Sequence, residues 1–208
     1  MRRCSAVWGN ARTDGSYRRR HGASAVSRFR LRVARCVLRA GGLVVYPTEG
    51  VFGVGCDPRN HDALQRLLAM KGRAADKGLI LLGSSEAQVM RYARPLDAEQ
   101  MAQVRRTWPG PVTWVLPARR DVDALITGGR DTVAVRVTAH PLAAALCDAF
   151  GGAVVSTSAN ASGRAPARSA LAARRSGAVD LFIPGRIGAA GGPSMIRDGR
   201  TGQVLRGA

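Results

Sequence analysis

Five short apolar runs set the architecture of this chain: Leu43 to Tyr46, Leu79 to Leu82, Val112 to Leu116, Val133 to Val137 and Ala153 to Val155. Each spans three to five residues between Gly, Pro or polar positions, too short for a buried helix and right for a buried strand. Helical patterns lie between them. Strands interleaved with helices predict an α/β fold on one mixed β-sheet, and neither an internal repeat nor an interior linker breaks the pattern.

The helices have recognisable ends. From Ser24, the residues Val26, Phe29, Val33, Val37 and Leu38 share one face until Gly41-Gly42 stops them. Asn60 is the expected N-cap of a helix carrying Leu64, Leu67 and Leu68 to Met70, with Lys71-Gly72-Arg73 at its end. Ser84 or Ser85 with Glu86 opens a third helix, and Asp97 to Thr107 forms a fourth, broken by Trp108-Pro109-Gly110-Pro111. Further helices are expected over Pro141 to Phe150 and Ala167 to Arg175, with short strands near Leu181 to Ile183 and Gln203 to Leu205. Residues 1–22 mix Gly, Ser and Arg without an apolar period and read as a flexible basic extension, leaving 23–208 as one domain.

A chain of 208 residues buries a real core without metal or disulfides, and 46% apolar against 22% charged residues excludes a disordered chain. The absence of a long apolar run excludes a membrane span. The net charge is +18, half of it within the first 36 residues. Such a surface attracts polyanions, whether nucleic acid or phosphorylated metabolites, although arginine-rich genomic coding accounts equally well for many of the arginines. Only two lysines occur, Lys71 and Lys77.

Cys4, Cys36, Cys56 and Cys147 form no C-x-x-C pair and cluster with none of His21, His61 and His140. That argues against a zinc site and for a reducing compartment. With no signal-peptide apolar segment at the N-terminus, a cytoplasmic protein is expected.

Loops at strand ends are where α/β folds bind ligands, and four polar segments fall there. Tyr46-Pro47-Thr48-Glu49 runs into the glycine-rich stretch Gly50 to Gly55, whose spacing fits neither a dinucleotide fingerprint nor a P-loop. Lys71-Gly72-Arg73, with Lys77 just beyond, offers a point charge and a planar fork to a polyphosphate, though a helix C-terminus favours cations in any case. Val154 to Gly163 leads a strand into Ser156, Thr157, Ser158, Asn160 and Ser162, neutral donors for phosphate or amino acid and equally an ordinary hydroxyl-rich turn. The fourth comprises Gly192 to Asp198 and the closing Leu205-Arg206. No G-x-S-x-G elbow supports a serine hydrolase.

In order, Tyr-Pro-Thr-Glu, Lys-x-Arg, Trp-Pro-Gly-Pro-Val-Thr (108–113), Val-Ala-Val-Arg-Val (133–137), Ser-Thr-Ser-Ala-Asn, Pro-Ser-x-Ile-Arg-Asp and a terminal Leu-Arg resemble the YrdC/TsaC family of threonylcarbamoyl-adenylate synthases. The resemblance covers about residues 24–208, in the short bacterial form with one domain. It implies a twisted mixed sheet flanked by helices around a concave basic cavity. It also implies an activity: L-threonine, bicarbonate and ATP, with Mg2+ accompanying the nucleotide, give threonylcarbamoyl-AMP and pyrophosphate. Downstream threonylcarbamoyl-transferase proteins then use the product to modify tRNAs that read codons beginning with A.

Carried onto this sequence, the resemblance makes Lys71 and Arg73 the catalytic phosphate-binding pair, joined around ATP by Thr132, Ser158, Asn160 and Arg206. Thr48, Arg136, Ser156 and Ser194 fall at its threonine contacts, with Arg136 on the carboxylate. No protein-ligated metal is implied. This chain departs from the pattern at Gly50, where many relatives have Thr or Ala, at Ala74 in place of the common Pro, and at Leu82, where longer relatives carry a threonine-contacting His. The rival reading is a protein that holds tRNA or double-stranded RNA in the cationic cavity without chemistry.

Overall fold

The computed structural model describes residues 28–175 and 177–207, so the basic extension 1–22 and the expected helix start at Ser24 lie outside the described residues. Helix α1 (Arg28–Arg39) buries Ala34 and Leu38. After it come β1 (Val44–Pro47), β2 (Phe52–Gly55), α2 (His61–Lys71), a 3-10 turn (Ala75–Lys77) and β3 (Ile80–Gly83). The chain continues through α3 (Glu86–Val89), α4 (Ala98–Arg105), β4 (Val112–Pro117), α5 (Ala124–Thr127), β5 (Thr132–Val137) and α6 (Pro141–Phe150). It closes with β6 (Val154–Ser158), α7 (Ala170–Arg174), β7 (Leu181–Phe182), β8 (Met195–Asp198) and β9 (Val204–Arg206).

The cap chemistry is as the sequence predicts for α2 and α4. Asn60 Oδ1 accepts from the Ala63 amide at 2.9 Å, a cap worth about 1 kcal/mol. Gly72 ends α2 in the left-handed region at φ 55, returning its N–H to Leu68 and Ala69. Asp97 caps α4 through the Gln100 amide. Ser85 precedes α3 but makes no side-chain cap bond, and that helix is a single turn.

The strands form one mixed sheet in the order β7-β1-β2-β6-β3-β5-β4-β8-β9. β1 and β2 make an antiparallel hairpin, β3 and β5 run parallel, and β6 lies between β2 and β3, antiparallel to both. Two strands depart from the sequence reading. The glycine-rich stretch after Gly50 is strand β2, not a loop, since it pairs with both β1 and β6; Gly55 is bare there because a Cβ would lie 1.9 Å from the Val155 carbonyl. The segment Met195–Asp198 is a strand paired in parallel with β4. In addition, β6 runs on to Ser158, so its hydroxyls sit on a strand and not in a turn.

Side chains alternate across the sheet, and the two faces differ in cover. One face carries Val45, Val54, Leu81, Trp114, Val133, Val135 and Val155 into a large core with Leu64 and Leu67 of α2 and Val104 of α4. On the other face, Val44, Tyr46, Leu82 and Val154 meet Leu38 of α1 and Leu146 and Phe150 of α6 in a second core. Each buried leucine or phenylalanine of these layers contributes about 1.5–3 kcal/mol. Among the described residues, α1 and α6 are the helices of that core, and the rest of the second face lies beyond them. It is the floor of a cavity.

Candidate active site

The floor is written in the alternation of four strands. Thr48 follows Val44 and Tyr46 on the same face, Ile80 precedes Leu82, and Ser156 and Ser158 follow Val154. Ala134 and Arg136 of β5 complete it. A segment joining β7, at one edge of the sheet, to β8, next to the other edge, crosses the β1–β2 turn and forms the wall. It is fastened there by backbone bonds from Gly188 to the Thr48 carbonyl and from Ala190 to the Glu49 carbonyl. Gly50 is where this crossing is tightest: a Cβ would sit 2.0 Å from the Gly192 carbonyl, which accounts for glycine at this departure from the family pattern. The resulting cavity holds about 310 Å³, within the range of small-molecule sites.

Eight of the ten residues singled out by sequence line this cavity: Thr48, Arg73, Thr132, Arg136, Ser156, Ser158, Ser194 and Arg206. Long-range pairing brings them together. The Thr113 and Ser194 hydroxyls lie 2.8 Å apart, and Arg206 donates to the Ser194 carbonyl at 2.7 Å. Thr48 Oγ1 donates to the Val51 carbonyl, which holds the β1–β2 turn.

Lys71 and Asn160 do not line it. Lys71 is buried, and its Nζ donates to the Ser158 carbonyl at 2.5 Å and the Asn160 carbonyl at 2.6 Å. It therefore ties the end of α2 to the turn after β6. Burial, with the charge of Arg73 beside it, lowers the Lys71 ammonium to about 8. Asn160 Nδ2 donates to the Ala161 and Arg164 carbonyls. Lys71 and Arg73 thus diverge: Arg73 turns into the cavity, steadied by the Gly78 carbonyl at 3.0 Å. Leu82, the other departure, is fully buried in the second core.

Three charged lining residues lie outside the ten that the resemblance assigns. Lys77 and Arg130 add cations, the latter anchored on the Asp76 carbonyl at 2.7 Å. Arg130 lies in a Gly-Gly-Arg-Asp loop that carries no signal of its own, whereas Lys77 stands just beyond the Lys71-Gly72-Arg73 cation segment. Glu49 is the one carboxylate among the described lining residues, against five cations: Arg73, Lys77, Arg130, Arg136 and Arg206. Its Oε1 accepts from Thr138 Oγ1 at 2.7 Å and the Ala139 amide at 3.0 Å, and its Oε2 is 3.3 Å from the Arg136 guanidinium. The excess positive charge is felt within the site. Burial lowers Arg206 from the usual arginine range, and the neighbouring Arg73 and Arg136 lower it further. Such a cluster is relieved by an anion with several charges. The described lining includes neither Cys nor His.

Comparison with known proteins identifies the family. The Sua5–YciO–YrdC family model, described as telomere recombination, matches residues 36–208. The threonylcarbamoyl-AMP synthase of Halorhodospira halophila is 57% identical over 86% of this chain and 94% of its own length. That of Nitrosococcus oceani is 53% identical over 88% of this chain and 100% of its own. Among solved structures, P. abyssi Sua5 complexed with L-threonine superposes with a TM-score of 0.76 at 36% identity, covering 81% of this chain and 50% of that one. The present chain thus spans about half the length of that Sua5. With a family model over most of its residues and relatives more than half identical across nearly their whole length, the chain belongs to the Sua5–YciO–YrdC family.

Proposed function

We infer that this protein is a threonylcarbamoyl-AMP synthase, joining L-threonine, bicarbonate and ATP and releasing pyrophosphate as the first step of threonylcarbamoyladenosine modification of tRNA. The observation that carries the reading is the cavity lining: five cations and a set of hydroxyls on the open half of one sheet face. The near full-length relatives bear that enzyme's name.

The reaction fits such a lining. The uncharged threonine amine attacks the bicarbonate carbon and expels water, leaving a carbamate. A carbamate oxygen then attacks the α-phosphorus of ATP in line, and pyrophosphate departs. Both steps are served by holding reactants close and neutralising phosphate charge. In our reading, Arg73 and Arg206 take the phosphates with Lys71, while Thr132, Ser158 and Asn160 hold the rest of the nucleotide. Lys71 reaches a phosphate by swinging from the two carbonyls it now holds; in place, it sets the turn that presents Ser158. Thr48, Arg136, Ser156 and Ser194 receive threonine, with Arg136 on its carboxylate.

Among the described residues no group of three or more His, Cys, Asp or Glu is placed to hold a metal. The cavity's Glu49 is already engaged with Arg136, Thr138 and Ala139. Magnesium would therefore come as the counter-ion of the phosphates, and no step here rests on it. The product passes to threonylcarbamoyl-transferase proteins, in the cytoplasm where tRNA is modified; among the described residues no helix is long and apolar enough to cross a membrane. Direct contact with tRNA or double-stranded RNA is a secondary part of the proposal, motivated by the net charge of +18 and read out by filter binding that weakens with salt.

The deciding experiment is pyrophosphate release by the purified protein. Release that needs both threonine and bicarbonate is expected. Folded protein that releases none overturns the assignment.

A further inference from the structure

Within the cavity wall, two buried polar atoms have no hydrogen-bond partner although they sit on neighbouring, oppositely charged groups. They are Glu49 Oε2 and Arg136 Nε. Their side chains are only 11% and 7% exposed, and the ion pair between them, at 3.3 Å, is longer than a good charge-assisted bond. Buried charges held this loosely stabilise little, because desolvation offsets their attraction. An unpaired buried acceptor and an unpaired buried donor in one wall call for an explanation.

The other contacts of the pair are to neighbouring polar groups. Glu49 Oε1 accepts from the Thr138 hydroxyl and the Ala139 amide just ahead of α6, which leaves Oε2, 3.3 Å from the Arg136 guanidinium, as the oxygen without a hydrogen bond. Thr138 in turn accepts from the His140 amide. Arg136 sits on β5, between β3 and β4, with its guanidinium in the cavity floor. What is left without a hydrogen bond is Oε2 on the carboxylate and Nε–H on the guanidinium, both buried within one ion pair. That is the complement of a molecule carrying an ammonium and a carboxylate on the same carbon.

We propose that Glu49 is a specificity-determining residue that binds the α-ammonium of the amino-acid substrate through Oε2 while Arg136 Nε binds its carboxylate. The Glu49–Arg136 contact opens by a small side-chain shift to admit the zwitterion, and each unpaired atom gains a charge-assisted partner. This inference rests on the synthase reading above for the identity of the substrate and extends it to a group given no role so far. It also explains why one acid is kept among five cations: without Glu49, any small carboxylate would satisfy Arg136.

The test compares L-threonine with 3-hydroxybutyrate, which keeps the carboxylate and hydroxyl and lacks the amine. Titration calorimetry on the full chain is expected to show the wild-type protein preferring threonine by roughly 10- to 100-fold. Glu49→Gln should lose most of that preference by weakening threonine alone, whereas Glu49→Asp should retain part of it; ATP binding by each variant reports that the cavity is intact. A Glu49→Gln protein that binds ATP and weakens both ligands equally, or neither, overturns the proposal and leaves Glu49 a structural partner of Arg136. If the wild-type protein binds ATP but neither carboxylate, it is the synthase reading that fails.

Discussion

Strands β1, β3 and β6 each cross from one half of the second sheet face to the other, and the two halves obey opposite rules. On the covered half, Val44, Tyr46, Leu82 and Val154 pack beneath α1 and α6. One pleat further along the same strands stand Thr48, Ile80, Ser156 and Ser158, facing a cavity ringed with cations. The backbone pairing is continuous across the boundary: β3 and β6 pair both at Leu82–Val154 and at Ile80–Ser156. The sheet is therefore a shared rigid frame, and what changes is whether a helix covers the residue. Stability is concentrated on one side of the boundary and binding chemistry on the other.

The largest effect that would break this division is on turnover. Arg73→Ala and Lys71→Ala should each lower pyrophosphate release by at least about a hundredfold while the far-ultraviolet circular dichroism stays native. Normal turnover in either would show that its cation takes no part in the reaction, leaving Lys71 as a tie to the turn after β6. On the covered half, Leu146→Ala should cost about 2–5 kcal/mol in urea unfolding and leave KM for ATP and threonine unchanged at low temperature. A shift in KM without loss of stability would erase the boundary.

A smaller effect follows from Lys71, which lies just behind the open half. Its folded value of about 8 is depressed below the ordinary 10.5, so between those values the unfolded chain holds more protons than the folded one. Its contribution to stability accordingly rises with pH across that window. The wild-type protein should gain on Lys71→Met from pH 8 to 10, and a flat difference between the two would mean that Nζ titrates as if in water. The smallest effect concerns the like charges of the cavity. Arg206→Gln should leave stability unchanged or raise it by up to about 1 kcal/mol in the absence of nucleotide, because repulsion from Arg73 and Arg136 is relieved. A clear loss would mean that the bond to the Ser194 carbonyl outweighs that repulsion.

Much of this was legible in the sequence. The five apolar runs are strands β3, β4, β5 and β6 and most of β1, with ends shifted by a few residues. Asn60, Gly72 and Asp97 cap where side-chain chemistry says they should. Strand β2 was not legible, because Phe-Gly-Val-Gly reads locally as a loop. Its glycines serve a neighbour distant in sequence, the Val155 carbonyl. Helix α5 is a single turn between Asp123 and Gly128, too short to show a period. Helix α7 begins at Ala170, behind its Ser169 cap, not at Ala167. Of the site, the ordered motifs identified residues that do line one cavity, while Lys71 and Asn160 lie behind its wall and Glu49 and Arg130 carried no readable role.

The sequence by itself determined which residues alternate to which face, where helices begin and end, and which short motifs follow one another. Those are properties of neighbours within a few residues, set by pleat, period and cap. Only the tertiary structure decided that α1 and α6 cover half of a face and leave the other half open. It also decided that the segment after β7 crosses the sheet to bring Ser194 beside Thr113, and that β9 brings Arg206 near Arg73 and Arg136. Such pairings join residues many tens of positions apart, and their energies come from desolvation and charge, which no local pattern records. The loose contact of Glu49 with Arg136 belongs to the same class: two ordinary charged residues in the sequence become a matched pair only when the β1–β2 turn comes to lie beside β5.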